Sequence, residues 1–206
     1  MRAWTLELTT NPTMEPLTLE EVRDHLQIDH EDEDAWLDAK LAEARQKVED
    51  ACGKSCLTQT RRLKLLDWPC SGIITLPRGP VASVSSITYL DTNGDSQTWS
   101  SGDYQVDTAA QPPTIVPVYG ESFPSIRTQD GVYVVTITYV AGYTARGHED
   151  LQQPRQAMLE LIRLWWENRT GLIQFGTATP LVELEAGILA KLVNFTDVTE
   201  YDRAFA

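Results

Sequence analysis

The chain has 206 residues, three cysteines and a formal charge of −13. A domain of this length buries about 70% of the surface its unfolded chain exposes, so it needs no disulfide or metal staple. The acidic balance argues against a general nucleic-acid binder, whose affinity comes from Lys and Arg displacing counterions from phosphate. An odd set of cysteines, Cys52, Cys56 and Cys70, without a charged-then-apolar leader, argues against a disulfide framework and secretion. No apolar run approaches the roughly 20 residues of a membrane helix. A soluble protein of a reducing cytoplasm is expected.

The first helix is predicted from Leu19 to about Ile28. Thr18 as N-cap and Glu21 three residues on form a capping box, and Leu17 and Val22 form a hydrophobic staple. The acidic run Asp29-His30-Glu31-Asp32-Glu33-Asp34 then falls where a helix N-terminus favours carboxylates. A second helix is predicted over Glu33 to Cys52, roughly 30 Å long. Its seam of Leu37, Leu41, Ala44, Val48 and Ala51 needs a helical partner, and Gly53 supplies the stop.

From Leu57 the period shifts toward two, and β-branched and aromatic residues accumulate. Strands are predicted at Thr60–Trp68, Ile73–Leu76, Val84–Leu90, Ser96–Ser100, Tyr104–Asp107, Thr114–Val118 and Val132–Val140. Asn93-Gly94 supplies a hairpin turn between the third and fourth. These about seven strands imply a small antiparallel sheet or a sandwich. Pro154 opens a helix lasting to about Arg169, with Met158, Leu161, Ile162 and Trp165 as its buried stripe. After a loop at Gly171–Pro180, Leu181 to Phe195 is expected to form a further helix, and Thr196–Ala206 a tail. The expected fold is α+β: a discontinuous helical bundle of N- and C-terminal helices with an inserted antiparallel β domain. Its parts are a helical first half at 1–56, a β-rich insertion at 57–145, a helical second half at 146–195 and the tail at 196–206.

No catalytic, cofactor or metal motif stands out. The cysteines lack the paired spacing of a zinc site, and His25, His30 and His148 complete no ligand set. Neither acidic segment fits a calcium loop, since the run after Asp29 has no sharp-turn glycine and Ser96 stands where Asp91–Asp95 would need one. There is no nucleophile elbow and no phosphate-binding glycine loop. The basic residues Arg61, Arg62, Lys64, Arg155, Arg163 and Arg169 read first as charged positions on solvated faces. The functional alternative is pairing with the acidic run of a neighbouring copy.

The order of several short motifs resembles that of head-tail connector (adaptor) proteins of tailed phages. They are Pro16-Leu17-Thr18-Leu19-Glu20-Glu21-Val22-Arg23-Asp24-His25-Leu26, the acidic run, Val48-Glu49-Asp50-Ala51-Cys52-Gly53, Leu57-Thr58-Gln59-Thr60, Leu76-Pro77-Arg78-Gly79-Pro80-Val81, Tyr139-Val140-Ala141-Gly142-Tyr143 and Trp165-Trp166-Glu167-Asn168-Arg169. The resemblance covers residues 14–170 and includes the adaptors of gene transfer agents. It implies a structural virion protein of the neck, assembled in the bacterial cytoplasm, forming a dodecameric ring beneath the portal and extending the DNA channel. The implied partners are the portal protein, other copies of the chain and a tail-side neck or stopper protein. DNA would pass without sequence-specific binding, and no membrane, cofactor or catalysis is implied. Portal binding is expected of the C-terminal segment, through Leu181, Leu184, Ile188, Leu189, Leu192, Phe195, Tyr201 and Phe205; the plainer alternative is a terminal helix packed on its own domain. Subunit contacts are expected of Asp29, Glu31, Asp32, Asp34, Arg61, Arg62, Arg163 and Arg169. A tail-completion or tail-terminator protein is the alternative within the same particle, and a hydrolase with an unfamiliar site is a more distant one.

Overall fold

The computed structural model describes residues 4–127, 131–169 and 181–194. In chain order the elements are β1 (Trp4–Thr10), α1 (Leu19–Leu26), α2 (Asp34–Cys52), β2 (Gln59–Leu65), β3 (Ile74–Thr75), β4 (Val81–Leu90), β5 (Ser96–Thr98), β6 (Tyr104–Asp107), β7 (Thr114–Pro117), β8 (Val135–Ala141), α3 (Gln152–Glu167) and α4 (Leu181–Ala190). The fold is mixed α+β with antiparallel sheets. It divides into two compact units, one of residues 4–13 and 58–142, the other of residues 14–57 and 143–194.

The β unit holds two sheets. One has the order β1-β2-β8-β4-β5, the other β3-β7-β6. In β2 and β8 every second residue is buried, and the register sets Leu63 opposite Ile137 and Leu65 opposite Val135. These residues share one buried cluster with Ile87, Ile74, Ile115 and Trp99, so the inner faces of the two sheets pack on each other as a sandwich. Thr60, Arg62, Lys64, Thr136 and Thr138 occupy the opposite, half-exposed face. The strand expected to reach Trp68 stops at Leu65, where the alternation itself breaks.

The helical first half drawn over residues 1–56 requires a correction, because residues 4–13 belong to the β unit. β1 pairs with β2 and extends the larger sheet, with Leu6 opposite Leu63 and Trp4 opposite Leu65. Trp4 and Leu6 pack against the β core, the return for the entropy of ordering a terminal strand.

The helical unit begins at the expected capping box. Glu21 donates its backbone N–H to the Thr18 hydroxyl at 3.1 Å, and its carboxylate accepts from the Thr18 backbone N–H at 2.8 Å. α1 ends where Gln27 turns left-handed. α2 ends at Gly53, whose positive φ lets its N–H reach the Glu49 carbonyl at 2.9 Å. Leu37, Leu41, Ala44 and Val48 of α2 lie in one buried cluster with Ala157, Met158, Leu161, Ile162 and Trp165 of α3. Leu192, in a short 3-10 turn that follows α4, is buried in the same cluster, and Ile188 and Leu189 pack against it.

Candidate assembly surfaces

The acidic run before α2 is partly answered inside its own unit. Arg23 lies 3.5 Å from Glu31 and 3.7 Å from Asp34, and His30 lies 3.7 Å from Asp32. The outer carboxylates of Glu31 and Asp32 remain open to solvent, 82% and 92% exposed, and Asp29 is exposed too. Arg169 pairs with Glu33 at 2.9 Å and stacks its guanidinium 3.4 Å from the Trp166 ring centre and 4.9 Å from that of Trp36. Arg163 bonds Glu167 one turn on, at 2.8 Å, on an exposed face. Arg61 differs from its neighbour: it is buried, opposite Tyr139 on the inner face of the β unit, whereas Arg62 lies on the half-exposed outer face opposite Glu7.

α4 is keyed to its unit by charge as well as by packing. Glu185 accepts from Lys47 at 2.6 Å and from the Trp165 indole N–H at 2.6 Å, and Lys191 bonds Glu160 at 2.6 Å. Lys40 and Lys47 lie 5.1 Å and 5.3 Å from the centre of the Trp165 ring, a cation–π arrangement. Burial pushes the Glu185 carboxyl up, and the hydrogen bonds from Lys47 and Trp165 with the lysine charges outweigh it, leaving the carboxyl below its ordinary value. Of the residues expected at a portal contact, Ile188, Leu189 and Leu192 are therefore turned toward their own core, while Leu184 is exposed. The side chain of Leu181, and Phe195, Tyr201 and Phe205 entirely, lie outside the described residues, as do residues 170–180 and the tail at 196–206.

Three arginines tie together the segments where the helical unit begins and resumes. Arg45 bonds the Glu15 carboxylate at 2.8 Å, Arg146 the Glu15 carbonyl at 2.7 Å, and Arg155 the Pro16 carbonyl together with the Glu21 carboxylate of the capping box. Glu49, buried beside Arg45, accepts the Cys56 backbone N–H at 2.8 Å. The pattern rule that found the capping box carries no signal for these contacts, because their partners lie up to 139 residues apart.

Burial pushes the Cys56 thiol well above its usual range, with the Glu49 charge adding to the effect, so it is a poor nucleophile. Among the described residues no group of His, Cys, Asp or Glu is placed to hold a metal ion, and no helix is long and apolar enough to cross a membrane. What the surface offers is contact: exposed carboxylates ahead of α2, a polar sheet face carrying Arg62 and Lys64, and exposed apolar residues at Tyr119, Val182 and Leu184.

Known proteins share both the sequence pattern and the fold. Residues 16–112 match the profile of the phage gp6-like head-tail connector protein family. A chain from the neck of an empty GTA (gene transfer agent) particle, computed with C6 symmetry, is 26% identical, with a TM-score of 0.71 over 95% of this chain and 96% of that one. A chain of the virion of the native gene transfer agent particle is 25% identical, with a TM-score of 0.71 over 94% of this chain and 96% of that one. A chain from the neck of the native particle, computed with C12 symmetry, shares the fold at 24% identity, with a TM-score of 0.66 over 95% of this chain and 96% of that one. No curated protein matches. The chain thus carries the sequence pattern of the phage gp6-like head-tail connector family over residues 16–112 and is similar in fold to a neck chain along nearly its whole length.

Proposed function

We propose that this chain is a structural adaptor subunit that forms a ring beneath the portal of a tailed phage or phage-like particle and extends the DNA channel toward the tail. The observation that carries the reading is the match, at a TM-score of 0.71 over 95% of the chain, to a chain of a gene transfer agent neck. A twelvefold ring is the natural copy number, given the C12 symmetry used for the native neck. A charge of −13 suits a channel wall, because it leaves no electrostatic well in which DNA would lodge. The role requires contact with the portal, with neighbouring copies and with a tail-side neck protein, and no catalysis.

Electron microscopy of particles from a strain lacking this gene tests the role. DNA-filled heads without tails are expected, and normal tailed particles would overturn it. The copy number is tested separately by native mass measurement of the complex with portal, where a multimer other than twelve corrects the stoichiometry.

Portal binding falls to the C-terminal segment in this reading, with Leu184 and Val182 on the open side of α4 and residues 195–206 beyond it. Removal of residues 195–206 together with Leu184→Asp leaves the buried contacts of Ile188, Leu189 and Leu192 in place. Portal pull-down by this variant is expected to fall sharply; undiminished capture would remove the assignment.

A further inference from the structure

Tyr119 is fully exposed, at a place where the backbone is tightly held. Val118, Tyr119, Gly120 and Glu121 form a β-turn closed by the Glu121 N–H on the Val118 carbonyl at 2.9 Å. Gly120 has φ +91°, the left-handed value required at the third position of a type II turn. A Cβ on Gly120 would meet nothing within 4 Å, so the turn stands clear of its surroundings. On one side it is pinned by the Val118 N–H on the Asp103 carbonyl at 3.0 Å. On the other, Phe123 stacks on Trp68 at 4.7 Å with the rings 5° from parallel, and the Trp68 indole N–H reaches the Pro124 carbonyl at 2.8 Å. With the turn backbone already ordered, docking would cost only the rotamer freedom of a side chain with two χ angles, and aromatic residues of this kind are enriched among the anchors of interfaces. Asp103 and Glu121, both exposed, make this tip acidic.

The same unit carries a surface of opposite character. On the outer face of the five-stranded sheet Arg62 and Lys64 stand among Thr60, Thr136 and Thr138. Glu7 is the acidic residue in register there, opposite Arg62 and 2.6 Å from Lys64. Two cations against one carboxylate leave this face positive in a chain whose total charge is −13. The tip and the face cannot meet within one copy. The tip extends β7 of the three-stranded sheet, which covers the inner face of the larger sheet, while Arg62 and Lys64 point away from that core. Complementary patches on opposite layers of one molecule make a heterologous, head-to-tail contact, the kind that closes rings.

We propose that the Tyr119 turn of one copy docks, with Asp103 and Glu121, on the Arg62–Lys64 sheet face of the next. The proposal rests on the ring reading and assigns one of its subunit contacts. Tyr119 would lie across the threonine surface while the two acids face the two cations, which sets register and direction around the ring.

The test follows ring formation by the full chain on purified portal, using native mass spectrometry over a concentration series. Tyr119→Ala removes a side chain with no contacts to lose at home, so its thermal midpoint should match wild type, while the concentration for half-maximal ring occupancy rises at least about tenfold, as for a truncated interface anchor. Arg62→Gln with Lys64→Gln should weaken assembly similarly. A chain carrying Arg62→Glu, Lys64→Glu, Asp103→Arg and Glu121→Arg should recover much of what either charge-reversed pair loses alone. Wild-type ring formation by Tyr119→Ala overturns the proposal. So does loss with Tyr119→Ala but not with the glutamine pair, which would send the tip to a different partner. If wild type itself makes no ring on portal, the ring reading falls first and this contact with it.

Discussion

Glu185 shows how a single side chain decides where a terminal helix lies. Its carboxylate is 15% exposed and accepts from Lys47 and from the Trp165 indole. Glu185→Ala would strand both donors at a packed surface, and charge-assisted bonds of this kind make the expected loss about 2 kcal/mol in urea unfolding. Because its folded pKa lies below the ordinary value, its contribution is complete above the ordinary carboxylate range and lost as pH falls through the folded value. The stability difference between wild type and Glu185→Gln should therefore shrink on acidification. A difference that grows would show that the ion pair is absent. Glu15 runs the other way: burial raises its carboxyl against the pull of Arg45, so its contribution is present below the ordinary value and fades as pH rises through the folded one.

At the scale of elements, α2 and α3 depend on each other through a seam of aliphatic side chains rather than on helix propensity. Leu161, fully buried between them, should cost about 2–5 kcal/mol when cut to Ala, the range for leaving a cavity in a close-packed core. The hairpin of β4 and β5 depends on its turn. Asp91 accepts from the Asn93 and Asp95 backbone N–H groups at 2.9 and 3.0 Å, and Gly94 sits at φ +90°. A Cβ at Gly94 would come 3.0 Å from the end of the Arg127 side chain, which can move aside. The cost of Gly94→Ala is then backbone strain, about 1 kcal/mol, read as a lower thermal midpoint. Sequence periodicity located both features, because each is local: a stripe repeating over one helix, and a turn dipeptide between two short strands.

At the scale of the whole molecule the dominant quantity is charge. An assembled ring of acidic subunits should give no mobility shift with duplex DNA at physiological salt, since a charge of −13 per subunit opposes the approach of phosphate on which counterion release depends. A shift that weakened steeply with salt would contradict the proposed channel wall. The positive sheet face with Arg62 and Lys64 is the exception that matters, and it is the surface assigned above to a neighbouring copy. Burying it in the ring would leave the remaining surface more uniformly acidic, which separates the contact between copies from the passage of DNA.

Local chemistry in the sequence settled the capping box at Thr18 and Glu21, the α2 seam from Leu37 to Val48, the Asn93-Gly94 turn and the alternation of β2, because each depends on residues within a few positions of one another; Ala51, expected in the seam, is exposed, and Cys52 is buried in its place. β1 carries an alternation too, Trp4, Leu6 and Leu8 with Thr5, Glu7 and Thr9, yet the reading of residues 1–56 as helical passes over it, because its partner begins at Gln59 and gave it no nearby context. Period two already puts Arg61 on the face of Leu63 and Leu65 and Arg62 on the other, but only the tertiary structure decided that the inner face is covered as far as Arg61, so that a residue expected at a subunit contact is buried. It also decided that Leu192 enters the helical core and that Tyr119 stands free on a fixed turn. Those outcomes depend on side chains brought together from distant parts of the chain, where no spacing rule reaches.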